Sequence, residues 1–184
     1  MYSGSMKTCL PLLSLLFVVC RAYGQDSSAP AKQVLASKDG IAKTIRVLKT
    51  GNSFDRKMAI GAIDDATLKK RKFTYKEQVA LIDTLYQLAK AQDNHLGREI
   101  PVSSDAVEGL AHFDTLEAIE AFEKLARSKS PYTQRVAIHG MLELALHRSD
   151  AAAFLLEDAQ RLTKSKDPEL VKQAKSFIEM VKNR

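Results

Sequence analysis

Apolar residues recur at helical spacing over almost the whole chain from about residue 32 onward. They lie three or four positions apart, as the buried face of an amphipathic helix requires. The clearest stripes are Ile41, Thr44, Ile45 and Leu48; Phe54, Met58, Ala59 and Ile63; Val79, Ile82, Leu85 and Tyr86; Leu116, Ile119, Phe122 and Leu125; Phe154, Leu155, Ala159 and Leu162; and Leu170, Ala174, Phe177 and Ile178. The sequence shows no sustained period-two alternation of the kind that marks a strand. The pattern predicts an all-α protein.

Polar residues mark the starts of the predicted helices. Thr74 and Glu77 have the spacing of a capping box, in which each side chain accepts a hydrogen bond from the other residue's backbone N–H. Pro131 and Pro168 suit the first helical position, where the missing N–H costs nothing. The predicted capping residues are Ser53, Thr74, Asp114, Ser130, either Ser149 or Asp150, and Asp167.

One stretch of sequence occurs twice. Residues 125–131, Leu-Ala-Arg-Ser-Lys-Ser-Pro, return as residues 162–168, Leu-Thr-Lys-Ser-Lys-Asp-Pro, at an offset of 37 residues. The apolar positions that precede each copy stay in step at the same offset. A fixed period of this length indicates stacked supersecondary units rather than one closed core.

The second helix of each predicted pair carries a small residue followed four positions later by an apolar one. These positions are Ala59 and Ile63, Ala106 and Leu110, Ala137 and Met141, and Ala174 and Ile178. The distance between two packed helices depends on the side chains at their contact, so a small residue permits a close approach. The pattern therefore predicts that successive second helices pack closely against one another.

The second helices resemble those of the HEAT and HEAT-like α-solenoid repeats. That family's pattern of Asp-Pro-Glu-Val, a basic residue, Ala and Leu is similar to residues 167–170 (Asp-Pro-Glu-Leu) with Lys172, Ala174 and Ile178. Ser130-Pro131 with Arg135, Ala137 and Met141 is a looser copy. The resemblance implies a short right-handed α-solenoid of about four antiparallel helix pairs.

The resemblance is best over residues 114–184. It extends over residues 30–112 with drifting spacings and without the proline. It implies a single HEAT-like repeat domain over residues 32–184. A fold of this kind hosts many functions, so the function has to be argued from the surface.

The first 24 residues have the pattern of an export signal. Lys7 precedes an apolar run over residues 10–20, and Ala22 and Gly24 place small residues where a signal peptidase acts. We expect a signal peptide over residues 1–24 that is cleaved after Gly24. The predicted location is periplasmic or secreted.

Three other interpretations of this end of the chain stay open. Met6 is an alternative start, Cys20 could carry a lipid anchor, and the apolar run could form a buried N-terminal helix. A membrane span needs about 20 apolar residues, more than this run provides. Residues 25–31 are small and polar and predict a flexible leader.

The sequence contains no strong catalytic motif. Both cysteines, Cys9 and Cys20, lie in the predicted signal, so a mature chain would have no disulfide, thiol nucleophile or cysteine-ligated metal. The histidines lack the metalloprotease spacing, and no glycine-rich phosphate loop is found. A zinc site built from His112, His139 and Glu143 is a weaker alternative to solvated histidines. We expect no enzymatic activity, no cofactor and no metal.

Charge is segregated along a chain whose net charge is +6. Residues 32–76 hold 12 basic and 4 acidic side chains, residues 77–160 hold 7 and 14, and residues 161–184 hold 7 and 3. The ends are therefore basic and the middle is acidic. The densest basic cluster is Lys69, Lys70, Arg71 and Lys72. It could bind a polyanion, or it could lie on a solvated helix C-terminus, where the helix dipole favours cations.

These features predict an exported, non-enzymatic scaffold that binds a protein partner through its stacked helices. The candidate partner-binding residues are Arg56, Lys57, Lys69, Lys70, Arg71, Lys72, Glu108, Arg135, His139, Lys172 and Lys175. The alternative is a binder of polyanions (an anionic envelope polymer, lipid head groups or nucleic acid) through the basic N-terminal third. Export would argue against DNA. A third possibility is an accessory subunit or chaperone of an exported enzyme.

Overall fold

The described part of the chain is entirely helical. The structure is a computed structural model that describes residues 39–69, 71–91 and 102–183, and within these ranges it contains nine α-helices and no strand. They are α1 Gly40–Thr50, α2 Ser53–Leu68, α3 Tyr75–Lys90, α4 Val102–Ala111, α5 Leu116–Ala126, α6 Pro131–His147, α7 Ser149–Ala153, α8 Leu156–Leu162 and α9 Pro168–Lys182. The predicted all-α class is confirmed. The predicted signal peptide, leader and first residues of the repeat domain, together with Lys70, lie outside the described residues.

Three of the predicted helix starts are confirmed. The Thr74 hydroxyl accepts a hydrogen bond from the Glu77 N–H at 3.3 Å, and the Glu77 carboxylate accepts one from the Thr74 N–H at 2.7 Å, which completes the capping box of α3. Ser130 caps α6 and Asp167 caps α9, each with proline in the first turn. The two copies of the repeated stretch thus begin equivalent helices.

The predicted cap at Ser149 or Asp150 is wrong, because Arg148 occupies the N-cap position of α7 and no side chain caps that helix. Two other predicted caps, those of α2 and α5, are wrong by one residue. The side chain of Asn52, not Ser53, accepts the hydrogen bond from the Asp55 N–H that starts α2. Thr115, not Asp114, accepts from the Ala118 N–H at the start of α5. In both helices the capping side chain lies three residues before its donor, as N-cap geometry requires. Asp114 instead forms an ion pair with Arg148, the residue that follows α6.

The helices lie in two layers. The first layer consists of α1, α3, α5 and α8, and each of these helices contacts the next one in that series. The second layer consists of α2, α4, α6 and α9, which also contact in series. Each first-layer helix packs against the second-layer helix that follows it in the chain, while the short α7 packs against α6 and α9. The hydrophobic core lies between the layers.

Small residues bring the second-layer helices together, as predicted. Ala59, Ala106, Ala137 and Ala174 are all buried, and so are Ile63, Leu110 and Met141. Ile178 is half-buried against the same core. The large side chains that fill the space between the layers include Phe122 and Phe177, both fully buried.

Three predicted core positions are exposed. Phe54 lies in the first turn of α2 and Leu116 begins α5, with 65% and 68% of their surface accessible. Both residues keep the helical spacing, but no neighbouring helix covers their side chains. Phe154 is 66% exposed because the expected continuous helix is interrupted there, between α7 and α8.

A buried carboxylate joins α5 to α8 within the first layer. Asp158 is 3% exposed and accepts hydrogen bonds from Nε and Nη2 of Arg127, at 2.9 and 3.1 Å, and from Arg161 at 3.2 Å. Arg161 also donates to the Ala126 carbonyl at 2.7 Å. Arg127 is the C-cap residue of α5, so its cation also suits the end of that helix dipole.

Replacing Asp158 tests this connection. Asp158→Asn keeps the size of the side chain and removes its charge, and we expect a loss of about 1–3 kcal/mol in the free energy of unfolding, the usual worth of hydrogen bonds to a charged group. The matched control is Asp150→Asn, because Asp150 is 82% exposed and lies 3.8 Å from Arg148. Chemical denaturation of both variants should show a change only for Asp158. Equal stability of the two variants would contradict the role of this carboxylate.

The two glycines inside α2 and α6 give opposite predictions. A Cβ atom on Gly140 would lie 2.6 Å from both Phe122 Cε1 and Val107 Cβ, so Gly140→Ala should cost about 1–3 kcal/mol through overpacking. A Cβ atom on Gly61 would meet no atom within 4 Å, so Gly61→Ala should stabilise by about 0.5–1 kcal/mol. Thermal unfolding of both variants measures the difference. A tolerated Gly140→Ala would mean that α4, α5 and α6 do not pack this closely.

Candidate functional site

Three pairs of charged or ionisable side chains connect each second-layer helix to the next. We call the six residues of these pairs the polar ladder. Its pairs are Lys57 with Asp105 (4.0 Å, α2 to α4), Glu108 with His139 (2.9 Å, α4 to α6) and Arg135 with Asp167 (3.2 Å, α6 to the N-cap of α9). Pairs this accessible to water contribute about 1 kcal/mol or less each. Their main effect is to order charged groups along one side of the second layer.

The polar ladder contains four of the predicted partner-binding residues: Lys57, Glu108, Arg135 and His139. Lys172 and Lys175 are exposed on α9, the last helix of the same layer. Arg56 differs, because its Nη2 donates to the Lys49 carbonyl near the end of α1, at 3.1 Å. The structure therefore brings most of these candidates to one layer and directs Arg56 toward the end of α1.

The basic cluster between α2 and α3 is partly engaged within the chain. Lys69 forms an ion pair with Asp65 one turn earlier, at 2.9 Å. The guanidinium carbon of Arg71 lies 5.4 Å from the centre of the Phe73 ring, a cation–π distance. Lys72 is exposed, and Lys70 lies outside the described residues. Lys69 follows the C-terminus of α2, as the solvated-helix-end interpretation predicts.

A cleft lies between α2 and α4, next to the Lys57–Asp105 pair. Its volume is about 570 Å³, and it is lined by Phe54, Lys57, Ile60, Gly61, Asp64, Asp105 and Glu108. Phe54 contributes an exposed aromatic ring, whereas Gly61 contributes no side chain. The remaining lining combines one ammonium group with three carboxyl groups. The cleft is thus partly apolar and carries more acidic than basic groups.

The carboxyl group of Asp64 is the one in the cleft whose pKa is shown to be raised. Its Oδ1 atom is buried and has no hydrogen-bond partner. Burial, followed by the charges of Glu108 and Asp105, raises the pKa of Asp64 from 3.8 to about 7. A Cβ atom on Gly109 would lie 3.1 Å from this oxygen, so the absence of a side chain there leaves room for the carboxyl group against α4.

Asp64 makes the stability of the protein depend on pH in a defined direction. The folded protein holds the proton more strongly than the unfolded chain, so this group destabilises the fold as pH rises from about 4 through 7. A pKa displaced from 3.8 to about 7 corresponds to about 4 kcal/mol. Asp64→Asn should therefore be more stable than the native protein at pH 8, by at most this amount.

The gain should disappear near pH 3, where the native carboxyl group is protonated in both the folded and unfolded states. Denaturant unfolding at pH 3 and pH 8 measures this difference. The control is Asp83→Asn on an exposed position of α3, which should stay within about 0.5 kcal/mol of the native protein at pH 8. An Asp64→Asn variant that is less stable than the native protein at pH 8 would show that the carboxylate is solvated or paired.

Two histidines lie close together at the C-terminal ends of α4 and α6. The rings of His112 and His147 are 5.1 Å apart, centre to centre. Burial and then the neighbouring His147 lower the pKa of His112 below 6.5, so its protonation favours the unfolded chain as pH falls. The alternative zinc site of His112, His139 and Glu143 does not form. Among the described residues, no three His, Cys, Asp or Glu side chains are grouped so that they could hold a metal ion.

Five of the seven residues that line the cleft are not among the predicted site residues. They are Phe54, which the pattern assigns to the core, and Ile60, Gly61, Asp64 and Asp105. The Asp105 and Glu108 spacing of three residues places both carboxylates on one face of α4 and could have indicated an acidic surface. The proximity of Asp64 to α4 depends on helix packing, for which the sequence carries no signal.

Comparison with known proteins gives no family. No family model and no curated protein matches the chain. A crystal structure of an engineered protein is similar to it with 22% identity and a TM-score of 0.44, over 85% of this chain and 68% of that one. A superposition of that quality does not establish a shared fold. Among the helices that the structure describes, none has the length and apolar character to cross a membrane.

Proposed function

We propose that this protein is a non-enzymatic scaffold that binds a protein partner through its second layer. The observation that carries the proposal is the serial contact of α2, α4, α6 and α9, with a pair of polar side chains bridging every junction. Such a surface is long and shallow, and it offers charged groups at regular intervals. An extended surface of this kind suits another macromolecule better than a small substrate, which needs a concave and largely apolar pocket.

The finer architecture in this proposal is a short right-handed α-solenoid of about four HEAT-like helix pairs. The 37-residue repeat supports it, because Pro131 and Pro168 begin α6 and α9, two neighbours in the second layer. Leu125 and Leu162 are buried at equivalent places near the ends of α5 and α8. Equal sequence offsets therefore correspond to successive positions along the layers.

Export is also part of the proposal, and its support is the sequence alone. The signal pattern of residues 1–24 predicts a location in the periplasm or outside the cell. A role as an accessory subunit or chaperone of an exported enzyme would use the same surface.

Binding of a polyanion through the basic N-terminal third has weaker support. Two cations of the basic cluster, Lys69 and Arg71, already contact Asp65 and Phe73. Among the described residues of that cluster, Lys72 alone forms neither an ion pair nor a cation–π contact. Lys172 and Lys175 extend the second layer instead, and their exposure favours α9 as part of a protein-binding surface.

Site-specific photo-crosslinking tests the proposed surface. A photoreactive residue at Arg135 or Lys172, both exposed on the second layer, should crosslink in cells to one discrete protein. The matched control positions in the first layer are Asp83 on α3 and Glu120 on α5, which are also exposed. A photoreactive residue at either control position should give no crosslink to that protein. Lys172→Glu with Lys175→Glu should reduce the crosslink from Arg135. Equal crosslinks from both layers, or none from the second layer, would contradict the proposal.

A further inference from the structure

We propose that the last helix pair, α8 and α9 with the turn between them, recognises an acidic segment of the partner protein. The inference rests on the proposed function, because it names the chemistry that one end of the scaffold would recognise. Two observations carry it. The 37-residue repeat places cations at equivalent positions in two successive helix pairs, and only the cations of the earlier pair meet carboxylates.

Two basic positions recur at the offset of 37 residues. Arg127 and Lys164 follow the ends of α5 and α8, which are helices of the first layer. Arg135 and Lys172 are each the fifth residue of a second-layer helix, α6 and α9 respectively. Each helix pair therefore carries one cation at the end of its first helix and one in the second turn of its second helix.

The turns that contain these positions have the same hydrogen bond. The Ser128 hydroxyl oxygen accepts from the Ser130 N–H at 3.2 Å, and the Ser165 hydroxyl oxygen accepts from the Asp167 N–H, also at 3.2 Å. Positions related by the offset are thus equivalent in three dimensions as well as in sequence.

The earlier pair shows what this arrangement of cations binds. Arg127 Nε donates to Asp158 at 2.9 Å, and Arg135 Nε lies 3.2 Å from Asp167. Asp158 belongs to α8 and Asp167 is the N-cap of α9, so both carboxylates come from the helix pair that follows. The cations of one pair are therefore matched by carboxylates of the structure packed beyond it.

The equivalent cations of the last pair have no such match. Lys164 and Lys172 are exposed, and neither ammonium group forms an ion pair within the described part of the chain. Residues 164–182 hold five lysines and three carboxylates, and one of these carboxylates, Asp167, already pairs with Arg135. Among the described helices, α9 contacts α6, α7 and α8, and no helix covers its other side.

The residue one turn before the first cation differs in the same sense. Glu123 lies 3.9 Å from Arg127 on α5, and the position equivalent to Glu123 on α8 is Gln160. Lys164 thus lacks both carboxylates that compensate Arg127. An external acidic group would take the place that Asp158 occupies one helix pair earlier.

A second copy of this chain does not fit this end of the molecule. Stacked end to end, it would present α1, which carries Lys43, Arg46 and Lys49 and no carboxylate. Like charges placed opposite each other oppose association, whereas complementary charges promote it. The occupant that fits is therefore an acidic segment of another protein.

The test uses synthetic peptides as probes and the full chain as the binder. Three dodecapeptides differ only in carrying glutamate, glutamine or lysine at four spaced positions, and each is titrated while the backbone NMR signals of the protein are recorded. The glutamate peptide should shift the amide signals of Lys164, Lys166 and Lys172. Its dissociation constant should be about tenfold or more below that of the glutamine peptide.

Two double variants locate the binding. Lys164→Glu with Lys172→Glu should abolish these shifts and create a preference for the lysine peptide. Lys43→Glu with Lys49→Glu is the matched control, since it makes the same change of net charge at exposed positions of α1, and it should bind the glutamate peptide like the native protein. The titrations are made at physiological ionic strength, where exposed charges more than about 8 Å apart are largely screened. Thermal unfolding of each variant confirms that the fold is retained.

Several outcomes would overturn the proposal. They are equal binding of the glutamate and glutamine peptides, equal losses in the two double variants, no shift with any peptide, and tighter binding of inorganic polyphosphate than of the glutamate peptide, which would indicate a polyanion site. The crosslinking experiment separates this failure from that of the proposed function. A native chain that crosslinks to a discrete protein from Arg135 but does not prefer the glutamate peptide would leave the second layer correct and the acidic recognition wrong.

Discussion

The close approach of α4 and α6 is the constraint on which the rest of the second layer depends. Gly140 makes it possible, because a methyl group there would lie 2.6 Å from Val107 Cβ on α4 and from the Phe122 ring on α5. Ala106 and Ala137 are fully buried in the same region. Helices held this near each other bring their outward side chains within ion-pair distance, so Glu108 and His139 meet at 2.9 Å. The polar ladder is therefore a consequence of small residues in the core.

Asp158 and Asp64 are carboxyl groups with buried oxygens, but they differ in their hydrogen-bond partners. Asp158 accepts hydrogen bonds from two arginines and stabilises the contact between α5 and α8. Asp64 has a buried oxygen without a hydrogen-bond partner, and burial, followed by the charges of Glu108 and Asp105, raises its pKa. A buried carboxylate that accepts hydrogen bonds from cations stabilises the contact it makes, whereas a buried carboxyl group without such partners stays protonated to a higher pH.

The surface and the cleft complement each other in the proposed scaffold. The ladder pairs are half-exposed and individually weak, so a partner can replace them without a large cost. The cleft between α2 and α4 adds an exposed aromatic ring, that of Phe54, to this surface. The exposed lysines of α9 lie in the last helix of that layer and favour acidic groups there.

The sequence by itself determined the helices and much of their order. Helical spacing, the Thr74 capping box and the Ser130 and Asp167 caps depend on residues a few positions apart, so they are visible in a linear pattern. Only the tertiary structure decided which sides of the helices meet. Phe54 keeps the helical spacing but is exposed, and the pKa of Asp64 is raised first by burial and then by carboxylates more than 40 positions away. Burial and the field of distant charges are properties of packing, and packing brings together residues that the linear order keeps apart.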